Sequence, residues 1–169
     1  MNNPFETEER RAFRETIRGF VANEITPFAD DWDEAGEIPW LLHEKVGALG
    51  VFGFGVDEQY GGLGFDDCFM RAAYSEEMAR CGATGVSAAL GGRSISIGPI
   101  ATLANDDIRN QCLPEIIAGR QSSALAITEP GGGSDVASLK TTAVRDGDHY
   151  VLNGSKTFIT SGMTSDYFV

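Results

Sequence analysis

Residues 126–135, AITEPGGGSD, are the stretch from which the rest of this chain is interpreted. An apolar run passes into a polar loop in which Pro130 fixes φ and lacks a backbone donor. The glycines at 131–133 allow backbone conformations closed to other residues and leave their amides uncovered. Hydroxyl and carboxylate groups stand at the rim, on Thr128, Ser134 and Asp135. Such a loop after a strand predicts a cradle for a polar heteroaromatic ring or a phosphate, and an exposed hairpin loop is the alternative.

A second segment, KTFITSG at residues 156–162, narrows these alternatives. The first loop has neither the Gly-Lys-Ser/Thr of a phosphate loop nor the GxGxxG of a dinucleotide fingerprint. Taken together and in this order, TEPGGGSD and KTFITSG resemble the flavin-binding segments of the acyl-CoA dehydrogenase family. YGGLG at 60–64 and EEMAR at 76–80 are similar to that family's YGGxG loop and EExAR helix. The resemblance covers nearly the whole chain.

Composition restricts the partners and the compartment. The 169 residues carry a net charge of −12, which argues against nucleic acid and anionic membrane surfaces as partners. Three cysteines without a CxxC spacing favour a reducing compartment and indicate neither a disulfide framework nor a zinc site, so we predict no metal. No apolar run reaches transmembrane length, and the first residues lack the apolar core of a signal peptide. We therefore expect a cytoplasmic protein without a membrane span.

Periodicity divides the chain into two parts. Before residue 120, apolar side chains recur at helical spacing, as at Phe13, Ile17 and Phe20. We predict an α+β fold, with an all-α helical domain at 1–120 followed at 121–169 by the first strands of an antiparallel β domain. The resemblance implies that the family's C-terminal helical bundle would follow these two parts, and we expect no counterpart of it within these 169 residues. The predicted strands lie at 123–128, 141–145, 149–153 and 156–160.

Charged residues of the helical part have two interpretations each. The arginines between residues 10 and 18 could form a phosphate patch, and a solvated helix face is the simpler prediction. Glu76 and Glu77 are adjacent carboxylates, which invites a general-base hypothesis. An ion pair between Glu76 and Arg80, one helical turn apart, is the simpler prediction here as well.

The resemblance implies FAD as the cofactor. Thr128 matches the residue that hydrogen-bonds the polar edge of the flavin, and Ser134 matches one that meets the cofactor's phosphate region and the pantetheine arm of the substrate. Many relatives have Trp where this chain has Phe158, which keeps an aromatic face and loses the indole donor. The implied cofactor contacts are Leu125, Ile127, Thr128, Gly133, Ser134, Phe158, Ile159 and Thr160.

The implied reaction is α,β-desaturation of an acyl-CoA thioester. A carboxylate removes the α proton, and the β hydrogen leaves as hydride to the flavin. In relatives the base is a glutamate of the C-terminal domain, and Glu129 belongs to the turn, so we assign no catalytic residue here. The resemblance also implies an electron-transfer flavoprotein or another electron acceptor as partner, and a homo-oligomer when the enzyme is complete. The 169 residues alone are expected to be inactive.

Two other functions stay open. One is another flavoenzyme on the same scaffold, such as a flavin monooxygenase or a nitroalkane oxidase. A flavin spectrum that bleaches with an acyl-CoA under anaerobic conditions would separate it from a dehydrogenase. The other is a truncated, non-enzymatic chain that acts as an interaction module, because residues 166–169 resemble the start of a strand with which the sequence stops. The downstream reading frame would decide this alternative.

Overall fold

The computed structural model describes residues 5–169 except for the side chain of Arg93, so residues 1–4 of the predicted helical domain lie outside the description. Within this range the helices are α1 (Glu8–Phe20), α2 (Ala29–Ala35), α3 (Trp40–Ala48), α4 (Cys68–Ala79), α5 (Thr84–Ser94), α6 (Ile97–Leu103) and α7 (Asp106–Ile117). The strands are β1 (Ser123–Ala124), β2 (Thr142–Asp146), β3 (His149–Asn153) and β4 (Tyr167–Phe168). The predicted order of helices first and strands after, and with it the α+β class, is confirmed.

The first helical stretch changes its winding rather than stopping. Thr7 caps α1 by accepting a hydrogen bond from the backbone N of Arg10 at 3.2 Å. The chain then widens into a π-helical turn at Val21–Ile25 and tightens into a 3-10 turn at Thr26–Phe28. Pro27, at which the sequence predicts a kink, lies in this 3-10 turn. The α-helix does not continue unchanged through it, because proline has no backbone N–H to donate.

Helices α1 and α4 are joined by a buried carboxylate. Glu77 on α4 is fully buried and pairs with Arg18 at 2.9 Å, with Arg14 at 3.3 Å and with Arg80 at 2.8 Å. The solvated face predicted for the arginines of α1 is therefore wrong for Arg14 and Arg18, whose guanidinium groups bind acidic side chains of α4. The predicted Glu76–Arg80 pair is also wrong, because Glu76 bonds Arg14 and Arg80 bonds Glu77.

Apolar side chains from helices α1, α3, α4, α5, α6 and α7 and from the π-helical turn meet in the core. Their most buried members are Ile17, Ile25, Val46, Leu90 and Leu113. Helix α3 approaches the end of α7 so closely that a Cβ on Gly47 would lie 2.5 Å from the carbonyl carbon of Ala118. Among the described residues, none of the helices has the length and apolar character that crossing a bilayer requires.

Two helix signals in the sequence are Asp66, which predicts the N-cap of α4, and Pro114, which predicts that a helix restarts there. The structure differs from both predictions. The N-cap of α4 is Asp67 rather than Asp66, and it accepts from the backbone N of Phe69 at 2.8 Å. Pro114 lies inside α7 and does not restart it. A proline costs one backbone hydrogen bond, and the burial of Leu113 and its neighbours on the same helix offsets that loss.

The strands form two separate pairs. β2 and β3 make the predicted antiparallel hairpin, with Gly147 at φ 62° in its turn. β1 and β4 pair in parallel, which differs from the antiparallel arrangement predicted for this part. The predicted strand at 156–160 is wrong, because Phe158 has a left-handed φ of 57° that a strand cannot contain.

We expect Glu77→Gln to lower the free energy of unfolding by about 1–3 kcal/mol, because hydrogen bonds to an ionised acceptor are among the stronger ones. Urea denaturation followed by circular dichroism measures the change. Glu76→Gln is the matched control, since Glu76 is exposed and pairs with Arg14 alone. Its expected cost is about 0–1 kcal/mol. Equal costs for the two variants would contradict the role given to Glu77.

The free energy of unfolding of the wild type and of Glu77→Gln should also depend differently on pH. The guanidinium of Arg18 is the first cause that lowers the pKa of Glu77 from 4.5 to about 2. A lowered pKa stabilises the fold fully above the unfolded value of 4.5, and that stabilisation is lost as pH falls toward 2. The stability difference between the wild type and Glu77→Gln should therefore shrink across this window. A difference that stays constant down to pH 2 would contradict the assignment.

Candidate functional site

The loop after β1 is a tight turn. The backbone N of Glu129 donates to the carbonyl of Gly132 at 3.0 Å, and the N of Gly132 donates back to the carbonyl of Glu129 at 3.1 Å. Pro130 and Gly131 form the corner between them. The glycines at 131–133 do not have the positive φ that the sequence suggested. What their missing side chains provide is room, since a Cβ on Gly131 or Gly132 would meet no atom within 4 Å.

The carboxylate of Glu129 holds this loop to the approach of β2. It accepts from the backbone N of Lys140 at 2.7 Å, from the backbone N of Thr141 at 2.9 Å and from the hydroxyl of Thr141 at 2.5 Å. These hydrogen bonds, with the hydroxyl of Thr141 first, lower the pKa of Glu129 from 4.5 to about 2. The side chain is therefore an ionised cross-link at neutral pH.

Lys156 connects the first motif segment to the second. Its Nζ donates to Oε1 of Glu129 at 2.9 Å and to the carbonyl of Ile127 at 3.1 Å. The next residue, Thr157, donates its backbone N to the carbonyl of Thr128 at 2.9 Å. Residues 126–135 and 156–162 therefore lie side by side, although the twenty residues 136–155 separate them in sequence.

The second segment contains two strained backbone positions. Phe158 and Ser161 have φ values of 57° and 60°, a conformation that residues with a side chain rarely adopt. A turn between them is closed by the backbone N of Gly162, which donates to the carbonyl of Ile159 at 2.9 Å. Strained backbone of this kind concentrates at binding sites, where the surrounding structure maintains it. The aromatic side chain of Phe158 is 92% exposed as a result.

A groove of about 730 Å³ runs along the contact between the two segments. Ligand pockets of proteins commonly have volumes of about 300–1,000 Å³. The groove is open to solvent, and the side chain of Met163 at its edge is 98% exposed. It is lined by Ala126, Lys156, Phe158, Ile159, Ser161, Gly162, Met163, Thr164 and Phe168.

The predicted cofactor residues differ in their placement, and two of the eight line the groove. Phe158 and Ile159 line the groove directly. Thr128 is not among the groove-lining residues and packs near Gly133, where an added Cβ would be 3.3 Å from the Thr128 methyl. Thr160 contacts helix α5 at Gly92. Leu125 and Ile127 are half-buried on the backbone that leaves β1, and Ser134 is exposed beyond the turn.

The sequence did not indicate three of the residues that hold this site together. Thr141 and Lys156 reach Glu129 from 12 and 27 residues away, and no local pattern predicts a pair over such separations. Gly92 lies in helix α5, which is rich in small residues. The sequence does not show which of its glycines contacts another segment. Within residues 5–169 no three His, Cys, Asp or Glu side chains are grouped closely enough to hold a metal ion.

Comparison with known families decides what this arrangement belongs to. A family model described as "Acyl-CoA dehydrogenase, N-terminal domain" matches residues 7–120, and "Acyl-CoA dehydrogenase, middle domain" matches residues 124–169. The chain belongs to the acyl-CoA dehydrogenase family. Together the two matches account for most of the sequence, including both motif segments of the groove.

Individual acyl-CoA dehydrogenases are similar over almost the whole chain. The long-chain specific mitochondrial enzyme of Rattus norvegicus is 37% identical over 163 residues, which are 96% of this chain and 37% of that protein. A crystal structure of acyl-CoA dehydrogenase from Geobacillus kaustophilus is 37% identical with a TM-score of 0.84, over 98% of this chain and 43% of that one. A glutaryl-CoA dehydrogenase from Mycobacterium smegmatis, solved in complex with FADH2, is 28% identical with a TM-score of 0.89, over 99% of this chain and 43% of that one. The chain thus spans less than half the length of these relatives.

We expect Glu129→Ala to speed hydrogen exchange at the amides of Lys140 and Thr141 by at least about tenfold, because both lose their acceptor. Amide exchange followed by nuclear magnetic resonance measures the two sites directly. Asp135→Asn is the matched control, since the Asp135 carboxylate in the same loop accepts from the hydroxyl of Ser138 and should leave both amides protected. Unchanged exchange in Glu129→Ala would show that the carboxylate does not hold the loop.

Proposed function

We propose that this chain is the flavin-binding N-terminal portion of an FAD-dependent acyl-CoA dehydrogenase. The contact between the two motif segments carries the proposal, because the Thr157–Thr128 hydrogen bond and the Lys156–Glu129 ion pair bring both segments to one groove. The solved structure of a relative with FADH2 supports FAD as the cofactor of this site. Residues 1–120 form the helical unit of the proposal, and residues 121–169 begin the unit that contacts the flavin.

The residues present fit a flavin in their chemistry. Phe158 offers an exposed aromatic face for stacking. Thr128 offers a hydroxyl for the polar edge of the ring system, and Gly133 leaves room for that side chain, since an added Cβ would lie 3.3 Å from the Thr128 methyl. The uncovered backbone at Gly131 and Gly132 leaves room for a bulky ligand. We propose Leu125, Ile127, Thr128, Gly133, Ser134, Phe158, Ile159 and Thr160 as the cofactor contacts, with Ser134 also meeting the substrate.

The proposed reaction is α,β-desaturation of an acyl-CoA thioester. Bound FAD would supply the hydride acceptor that this oxidation needs. The residues of this chain bind the ring, orient it through Thr128 and Phe158, and hold the loop through Glu129. We further propose acyl-CoA as substrate, an electron-transfer flavoprotein or another acceptor as partner, a homo-oligomeric complete enzyme, and the cytoplasm as its location. The family match supports the substrate class, and the three cysteines without a CxxC spacing are consistent with a reducing compartment.

The buried carboxylates of the chain are poor candidates for the base that removes the α proton. Glu77 and Glu129 both have a pKa of about 2, and each is ion-paired. A general base works best with a pKa near the working pH, so groups this acidic accept a proton weakly. We therefore assign structural roles, and not the proton transfer, to these two carboxylates.

The cofactor assignment predicts that Thr128→Val weakens FAD binding. Losing one or two hydrogen bonds costs about 1–3 kcal/mol, which corresponds to roughly 5–150-fold in the dissociation constant. Titration of FAD into the protein, followed by flavin fluorescence, measures the change. Thr16→Val is the control, because Thr16 is exposed on α1 and its hydroxyl bonds the carbonyl of Ala12. Unchanged affinity in Thr128→Val would remove Thr128 from the site.

Because neither Glu77 nor Glu129 is suited to be the base, we predict that these 169 residues do not turn over an acyl-CoA. We also expect them to bind FAD weakly. Catalysis needs a base at the α carbon and a flavin held beside it at the same time. An assay with a saturated acyl-CoA and an artificial electron acceptor tests this. Robust turnover would mean that a base lies within the chain, and Glu76, Glu77 and Glu129 would then be the first residues to replace.

A further inference from the structure

Helix α5 approaches the second motif segment closely at Gly92. A Cβ added at Gly92 would lie 2.7 Å from Cγ2 of Thr160 and 3.6 Å from its Cβ. Real Cβ atoms essentially never approach another heavy atom this closely, so a side chain at position 92 would force Thr160 to move. The neighbouring glycine, Gly91, has no atom within 4 Å of the corresponding position. The two adjacent glycines therefore differ in what they contact.

Thr160 has few ways to avoid such a side chain. Threonine is branched at Cβ and stiff at χ1. To move its methyl away from position 92, Thr160 would have to adopt another staggered rotamer, which also redirects its hydroxyl. The alternative is to shift the backbone. Thr160 lies inside the turn closed by the Gly162–Ile159 hydrogen bond of 2.9 Å, between the left-handed residues Phe158 and Ser161, and a shift would disturb both features.

We infer that Gly92 is a positioning residue, because its missing side chain leaves the space that the Thr160 methyl occupies and thereby permits the orientation of the Thr160 hydroxyl. This inference rests on the proposed function for its consequence, because Thr160 is one of the proposed flavin contacts. The contact itself does not depend on the flavin. Gly92 therefore acts on the site from the helical part of the chain, without itself belonging to either motif segment.

Gly92→Ala and Gly91→Ala form a matched pair for testing this inference. Both place alanine in the same helix, where it is favoured over glycine, so each gains about the same helix propensity. We expect Gly91→Ala to raise the thermal midpoint by about 2–4 °C and to leave FAD affinity unchanged. We expect Gly92→Ala to weaken FAD binding by about 2–10-fold, the effect of one misplaced hydrogen bond. Equal FAD affinity in the two variants would overturn the inference.

A double variant separates a local contact from general damage. Thr160→Ser keeps the hydroxyl and removes the methyl that meets position 92. We expect Gly92→Ala combined with Thr160→Ser to bind FAD as tightly as Thr160→Ser alone. If Gly92→Ala still weakens binding in the Thr160→Ser protein, the effect does not pass through the Thr160 methyl and the inference is wrong.

A measurement without flavin distinguishes failure of this inference from failure of the proposed function. The methyl and amide resonances of Thr160 should shift in Gly92→Ala and stay in place in Gly91→Ala. If the wild-type chain binds no FAD, the proposed function fails, and the resonances still decide whether Gly92 positions Thr160. If FAD binds and the Thr160 resonances do not move, Gly92 has no positioning role.

Discussion

The ion pair between Glu129 and Lys156 is the constraint on which the groove depends. Glu129 also binds Lys140 and Thr141, so one carboxylate joins the loop after β1, the approach to β2 and the segment after β3. None of these three pieces forms an extended sheet with another, and each is short. Without a shared acceptor, their backbones would have only scattered hydrogen bonds to fix their relative positions. The carboxylate takes the place that a longer ladder of backbone hydrogen bonds occupies in other β structures.

The helical part relies on a second carboxylate in a similar way. Glu77 is buried beneath three arginines and holds α1 on α4, while Glu129 holds the loops. Both side chains carry a lowered pKa because cations or several donors surround them. In an acidic chain of net charge −12, both of these carboxylates are buried and ion-paired. Their acidity is a consequence of structural roles, which is why neither is suited to proton abstraction.

Local signals predicted much of the fold, and pairings between distant residues limited the prediction. The cap at Asn105, the end of α7 near Gly119 and the hairpin turn at Gly147 all follow from backbone chemistry over a few residues. The choice between Glu76 and Glu77 as partner of Arg80 depends on which of them faces α1, and that is set by packing rather than by spacing along α4.

The same limit applies to the groove. The motif segments were recognisable from their residues. The strand predicted at 156–160 is wrong, because Phe158 and Ser161 adopt left-handed conformations that tertiary contacts maintain. The contact of Thr160 with Gly92 and the ion pair of Lys156 with Glu129 also join residues far apart in sequence. Alternating polarity alone could not distinguish this irregular segment from a strand.

The parallel pairing of β1 with β4 has a consequence for how the second part of the chain assembles. Both motif segments lie between β1 and β4 in sequence. The pairing of these two strands therefore closes a loop of the chain that contains both segments. The entropic cost of closing such a loop rises only by about 0.6 kcal/mol for each doubling of its length. The β2–β3 hairpin lies within that loop and exposes every one of its strand residues. Its turn at Gly147 is therefore a place where a peptide label could lengthen the chain with little effect on closure.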